Sequence, residues 1–128
     1  MSQENVEIVR HALKAKQSEF ADLLDPAVRL DLSERVFNPA VYEGYHGIMQ
    51  WRAEVGEVWE SYVSEPEEFI DFGQTVVVFT RERGRGRGSG VEIDRSTALL
   101  YRVRAGRVTE IRLYHERDRA VQEAERAE

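Results

Sequence analysis

At 128 residues, 41% hydrophobic and 33% charged, the chain has the make-up of one folded domain rather than of a disordered segment. It holds no cysteine, which excludes disulfides and thiolate metal sites. A net charge of −6 argues against general affinity for nucleic acid or anionic membranes, and no apolar run nears the ~20 residues of a membrane span.

The start, MSQENVEIVR, is polar and acidic and unlike a secretion signal, so a cytoplasmic location is expected. Val6, Val9, Ala12 and Leu13 recur at helical spacing over residues 3–16, with Glu4 and Glu7 where a helix dipole favours acids and Ser2 or Asn5 as caps. Phe20, Leu23 and Leu24 suggest a second, short helix, which Asp25-Pro26 should end. Val28, Leu30 and Leu32 then alternate with Arg29, Asp31 and Ser33, the period of a strand. Residues 34–47 read as an irregular loop with a short strand at Val41-Tyr42. From Ile48 the helical period returns through Trp51, Val55, Val58, Trp59 and Tyr62, up to a stop at Ser64-Glu65-Pro66. The segment 67–72, EEFIDF, reads as a strand.

The stretch Gln74–Glu116 contains three apolar runs, Val76–Thr80, Ser96–Val103 and Val108–Tyr114, separated by glycine-bearing turns. Charges at alternate positions make these half-buried antiparallel strands. Asp118–Ala127 is highly charged and reads as a short helical or frayed tail. The order predicts a single α+β domain with helices packed on one face of a curved antiparallel or mixed sheet.

Particular words in this order resemble the NTF2-like superfamily, and within it the SnoaL-like domain group. They are VEIVRHAL in the first helix, LLDPAVRLDLS entering the first strand, and YEGYHGIMQWRAEV with its Gly-x-x-Gly lead into a helix. EEFIDFGQTVVVFTRERGRGRGSGVEI and ALLYRVRAGRVTEIRLYHERDRAV follow, so the resemblance spans nearly the whole chain. It implies a cone of helices and curved sheet around a pocket for a small-molecule ligand, commonly as a homodimer through the outer sheet face. It does not imply one activity, because the scaffold serves isomerases, cyclases, epoxide hydrolases and non-catalytic binding modules.

Strand parity selects the candidate site residues. In the strand ending at Val103 the odd set, Arg95, Thr97, Leu99 and Tyr101, is the more apolar and should face inward; Ile111, Leu113 and His115 should do so on the last strand. An inward His115 near Tyr101 could transfer protons, with Asp31 as a partner or base if a bulge turns it inward. The plainer accounts are a strand-end histidine bonded locally and an outward aspartate. Tyr101 and Arg95 are the expected polar contacts; Trp51 and Tyr42, with Trp59 and Tyr62, could line an apolar pocket, although Trp51, Trp59 and Tyr62 at helical spacing also suit plain core. His46 reads as an exposed loop residue. The tyrosine and late-strand aspartate that steroid isomerases of this fold use for an oxyanion hole have no counterpart here, nor does the Asp-Arg-Asp network of the epoxide hydrolases. An acid or base near the end of the sheet, as in polyketide cyclases, could be His115 or Glu116.

His11, His46 and His115 lack ligand spacing, so neither a metal nor another cofactor is called for. Arg81, Arg83, Arg85 and Arg87 alternate with glutamate and glycine. They should line one face of an extended ribbon, solvated and protective against edge aggregation rather than gripping RNA. The function expected is binding of a small, mostly hydrophobic ligand, with cofactor-free acid/base isomerisation or cyclisation if the protein is an enzyme. A non-catalytic ligand-binding or dimerisation module is the alternative.

Overall fold

The computed structural model of the protein describes residues 2–14, 22–35 and 39–127. Their elements run α1 (Ser2–Lys14), β1 (Leu24–Asp31), β2 (Val41–Glu43), α2 (Gly44–Val58), β3 (Trp59–Asp71), β4 (Thr75–Gly86), β5 (Glu92–Arg104), β6 (Arg107–Tyr114) and α3 (Arg117–Ala127). The strands join one six-stranded sheet in the order β2-β1-β6-β5-β4-β3. Neighbours are antiparallel except β1 and β6, which run parallel, so the curved sheet is mixed. The fold is α+β, as the sequence predicts.

Alternation along the strands divides the core into two layers. On the inner face, Val6, Val9 and Ala12 of α1 pack with Leu24, Val28 and Leu30 of β1, Val76 and Val78 of β4, Tyr101 and Val103 of β5, and Ile111 and Leu113 of β6. Ile48 and Trp51 of α2 join the same layer. Asn5, a candidate cap, instead donates its side-chain N–H to the carbonyl of Gly73, 2.8 Å away, and so ties α1 to the β3–β4 turn.

The outer face is covered by α3. Ala120 and Ala124, both fully buried, pack on Val77, Ala98, Leu100 and Tyr114. Spaced four apart, these alanines lie on one side of the helix and let its backbone come close to the sheet. Arg117 anchors its start by donating to the carbonyls of Thr80 (3.0 Å) and Thr97 (3.3 Å) while pairing with Glu67 on β3. The charged tail is thus a helix docked on the outer face of the sheet.

Several sequence boundaries move, among them the start of α2 at Gly44, inside the expected loop, and the end of β4 at Gly86, past Thr80. The helix expected to reach Tyr62 ends at Val58, and Trp59 opens β3. The ladder from Trp59↔Gly86 to Asp71↔Val76 supplies backbone partners along the whole of β3, a stronger claim than helical spacing in a segment holding Gly56. Pro66, expected as a stop, sits inside β3 next to a register shift, as proline can in an edge strand. Pro26 likewise falls within β1, where the pairing with β6 is irregular. The body of the second helix, with Phe20, lies outside the described residues.

The β5–β6 hairpin turns through Ala105 (φ 53) and Gly106 (φ 79), both left-handed. Glycine accepts this freely and alanine does not. Ala105→Asn should therefore stabilise the protein by about 0.5–1 kcal/mol, read as a higher urea midpoint with an unchanged m-value.

Candidate functional site

The polar groups of the inner face gather where β3, β4 and β5 run beyond α1. On β4 the inward set Val76, Val78 continues by alternation through Thr80 and Glu82 to Gly84, and all five are buried. Opposite them on β5 stand Thr97, Arg95 and Ile93, and on β3 Pro66, Ser64 and Tyr62. Glu82, only 4% exposed, is flanked in register by Ser64 and Arg95. Its carboxylate accepts hydrogen bonds from the Tyr62 hydroxyl and from Thr97 Oγ1, the latter at 2.9 Å. Thr80 and Thr97 hydroxyls lie 2.7 Å apart. Because Thr97 spends its one proton on Glu82, Thr80 is the donor of that pair. The result is a polarised chain that ends on the glutamate, Thr80 to Thr97 to Glu82, with Tyr62 closing from the other side.

Gly84 makes room for this arrangement. A Cβ there would sit 3.0 Å from the Tyr62 ring and 3.1 Å from the Trp59 ring. A register shift between Trp59 and Ser61 brings both rings over the glycine, their centroids 5.5 Å apart. Burial pushes the Tyr62 phenol well above its ordinary pKa, the charge and hydrogen bonding of Glu82 add to the rise, and Arg95 works against it. Tyr101, fully enclosed on the same face, is raised by burial and then by the charge of Glu82. Both phenols therefore remain protonated donors through neutral pH.

Of the residues picked from the sequence, Tyr101 and Arg95 lie on this inner face with Glu82. Trp51 is partly buried against the inner core. Tyr42 is buried in it, and its hydroxyl donates to Glu54 while receiving a hydrogen bond from Arg35 at 3.3 Å. His115, just beyond β6, donates from Nε2 to the carbonyl of Glu34 in the β1–β2 connection. That bond is the local, strand-end arrangement, and in the neutral ring it places the proton on Nε2. His46 is exposed in the first turn of α2.

Asp31 is not brought to His115. Leu30 and Leu32 take the inner face, so Asp31 points outward, 3.7 Å from Arg112 and 3.9 Å from Arg29. Burial pushes its carboxyl up, but hydrogen bonds from Ser33 and the charges of Arg112 and Arg29 outweigh this and hold it below the usual aspartate range. No bulge turns it inward; the Asp31↔Arg112 and Asp31↔Val41 pairings are regular.

Glu82 is not among the residues that the sequence singles out, and Tyr62 is there only as an apolar wall or plain core. Glu82 stands in a run, RERGRGRG, whose composition suggests solvent. The signal that finds it is parity, since arginines projecting from one face leave Glu82 on the other. Those arginines do face outward. Arg81 pairs with Asp94 (2.5 Å), Arg85 with Glu60 (3.3 Å) and Glu92 (3.4 Å), and Arg83 with Asp94 (3.7 Å) and Glu65 (3.9 Å). Arg87, just past β4, donates instead to the carbonyls of Gly56 (3.0 Å) and Trp59 (3.2 Å). On the outer face, an open cleft of about 150 Å³ lies between α3 and β6, lined by Arg112, Tyr114, Arg119, Gln122, Glu123 and Arg126. Among the described residues no group of three or more His, Asp or Glu side chains could hold a metal ion, and no helix is long and apolar enough to cross a membrane.

No family model and no curated protein matches the chain by sequence. Solved structures match it in fold. An NTF2-like protein from Burkholderia xenovorans LB400 superimposes with a TM-score of 0.77 at 21% identity, over 95% of this chain and 96% of its own. The fold is NTF2-like. A candidate SnoaL-like polyketide cyclase from Jannaschia sp. CCS1 gives 0.76 at 21% identity, over 96% of this chain and 92% of its own. TerC, co-crystallised with polyporic acid, gives 0.74 at 19% identity, over 95% of this chain and 98% of its own. Each likeness is one of fold.

Asp31 supplies a test of the outer face. A carboxyl held low when folded adds stability that is complete above its unfolded pKa and is lost as pH falls through the folded value. Asp31→Asn should cost about 1–3 kcal/mol at pH 7. The gap from wild type should shrink below about pH 4, where the unfolded carboxyl takes up its proton. Urea unfolding at several pH values measures both.

Proposed function

We propose that the inner face of the β3–β5 arm binds a small, largely apolar molecule and that Glu82 serves it as an acid/base group in a cofactor-free isomerisation or cyclisation. The observation that carries this reading is the burial of Glu82, 4% exposed, on a surface of aromatic rings, hydroxyls and apolar side chains with Arg95 as its one cation. A carboxylate there is held by side-chain hydroxyls, beside Tyr62 and one step along the arm from the Trp59 ring over Gly84. Tyr62, kept protonated by burial and by Glu82, can return a proton or hold a developing negative oxygen. Arg95 supplies a positive charge beside them. TerC, of the same fold, was co-crystallised with an organic acid, and a SnoaL-like cyclase candidate shares the architecture; both support a small-molecule role. His115, bonded to Glu34, is the second acid/base candidate, and Trp51 and Tyr42 remain the apolar walls.

One observation favours binding without chemistry. Glu82 already accepts hydrogen bonds from Tyr62 and Thr97, which suits a structural carboxylate as well as a reactive one.

The two readings separate on a bicyclic ketone such as 2-tetralone, with deuterium exchange at its activated carbon followed by NMR and its binding followed by calorimetry. The enzymatic reading expects exchange faster than in buffer and a loss of about a hundredfold or more in Glu82→Gln, with binding retained. Binding with no acceleration by the wild type would leave only the binding reading. Absence of binding by this and related bicyclic probes would overturn both.

A further inference from the structure

Building on the proposal that the inner face of the arm binds a small molecule, we infer that the molecule carries a carboxylate and that Arg95 and Ser64 read it. Arg95 Nε and Ser64 Oγ are both shut off from solvent and neither atom has a hydrogen-bond partner, while the rest of the Arg95 guanidinium is engaged with the Tyr62 hydroxyl. Leaving a buried donor unsatisfied is costly, and native interiors rarely do so without a reason.

The two orphaned groups are neighbours of the same residue. Ser64 on β3 and Arg95 on β5 are the register partners of Glu82 on β4, one from each side. Glu82, which lies between them, accepts from Tyr62 and Thr97 and from neither of these two atoms. The row therefore presents a guanidinium edge and a hydroxyl with spare donor capacity, separated by the width of one strand. Its negative neighbour is already hydrogen-bonded to Tyr62 and Thr97. What fits is an acceptor with two oxygens and a negative charge. A carboxylate matches the planar guanidinium and can take the serine proton as well, which a lone carbonyl oxygen does less completely. The rings of Trp59 and Tyr62 lie one step along the arm, over Gly84, and provide a flat apolar surface for the rest of the ligand. The class is a small aromatic or polycyclic carboxylic acid.

The test compares 2-naphthoate with neutral 2-naphthalenemethanol by isothermal calorimetry on the full chain. Wild type should bind the carboxylate at least about tenfold more tightly. Arg95→Gln should remove that preference and leave the alcohol within about twofold. Ser64→Ala, on the edge strand and so least disturbing to the fold, should weaken naphthoate several-fold and leave the alcohol unchanged. Arg95→Lys keeps the charge but not the guanidinium edge and should recover only part of the preference. Equal binding of the two probes to wild type would overturn the carboxylate inference alone and leave an apolar site standing. Equal weakening of both probes by Arg95→Gln and by Ser64→Ala would assign the two residues a structural role and overturn it likewise. Failure of both probes to bind would overturn it together with the binding reading on which it rests.

Discussion

β4 has to satisfy two different environments along one strand. At Val76, Val77 and Val78 every side chain is fully buried, which demands cover on both faces of the sheet. From Thr80 onward the strand alternates, with Thr80, Glu82 and Gly84 buried and Arg83 and Arg85 exposed. The first half explains the layers: α1 covers Val76 and Val78 from inside, and α3 covers Val77 from outside. The second half explains the site. Past the helices, the sheet continues as an arm whose outer face is an ion-pair ladder and whose inner face keeps polar groups from water.

That division has an energetic logic. The outward arginines find carboxylates on β3 and β5, pairs that are worth little individually at an exposed surface. They also hold their strands soluble and discourage edge pairing by β3, which ends the sheet. Inside, the same strand positions a carboxylate where hydroxyls must do the work of water. The chain from Thr80 through Thr97 to Glu82 crosses β4 and β5, and Tyr62 brings in β3, so the network is also a clamp on the register of the arm. A carboxylate that is both satisfied and adjacent to unsatisfied donors is an unusual combination, and it is where a ligand would most change the energetics.

Much of this was legible in the residues. Period-two alternation located β4, β5 and β6 and put Tyr101 and Arg95 on the inner face, and the stripe of Val6, Val9 and Ala12 identified the helix that covers it. Legibility failed where two signals overlap. Trp59 and Tyr62 satisfy helical spacing with Ile48 and Val55, yet they belong to β3, because only the long ladder with β4 decides between the two periods. The charged tail carries few apolar residues, but Ala120 and Ala124 suffice to dock it, since alanine contributes by letting backbones approach rather than by its own size. Glu82 was hidden by composition, its neighbours being arginine and glycine. Asp31 was legible as outward from its own alternation, and the structure gives it Arg112 and Arg29 there rather than His115.

The central claim is that the ligand surface is the inner face of the β3–β5 arm. Backbone amide NMR of the labelled protein, titrated with 2-naphthoate, addresses it most directly. The largest chemical-shift changes should fall on Tyr62, Ser64, Glu82, Arg95 and Thr97 and fade toward α3. Changes centred on Arg112, Arg119 and Arg126 in the outer cleft, with the inner arm unmoved, would contradict it.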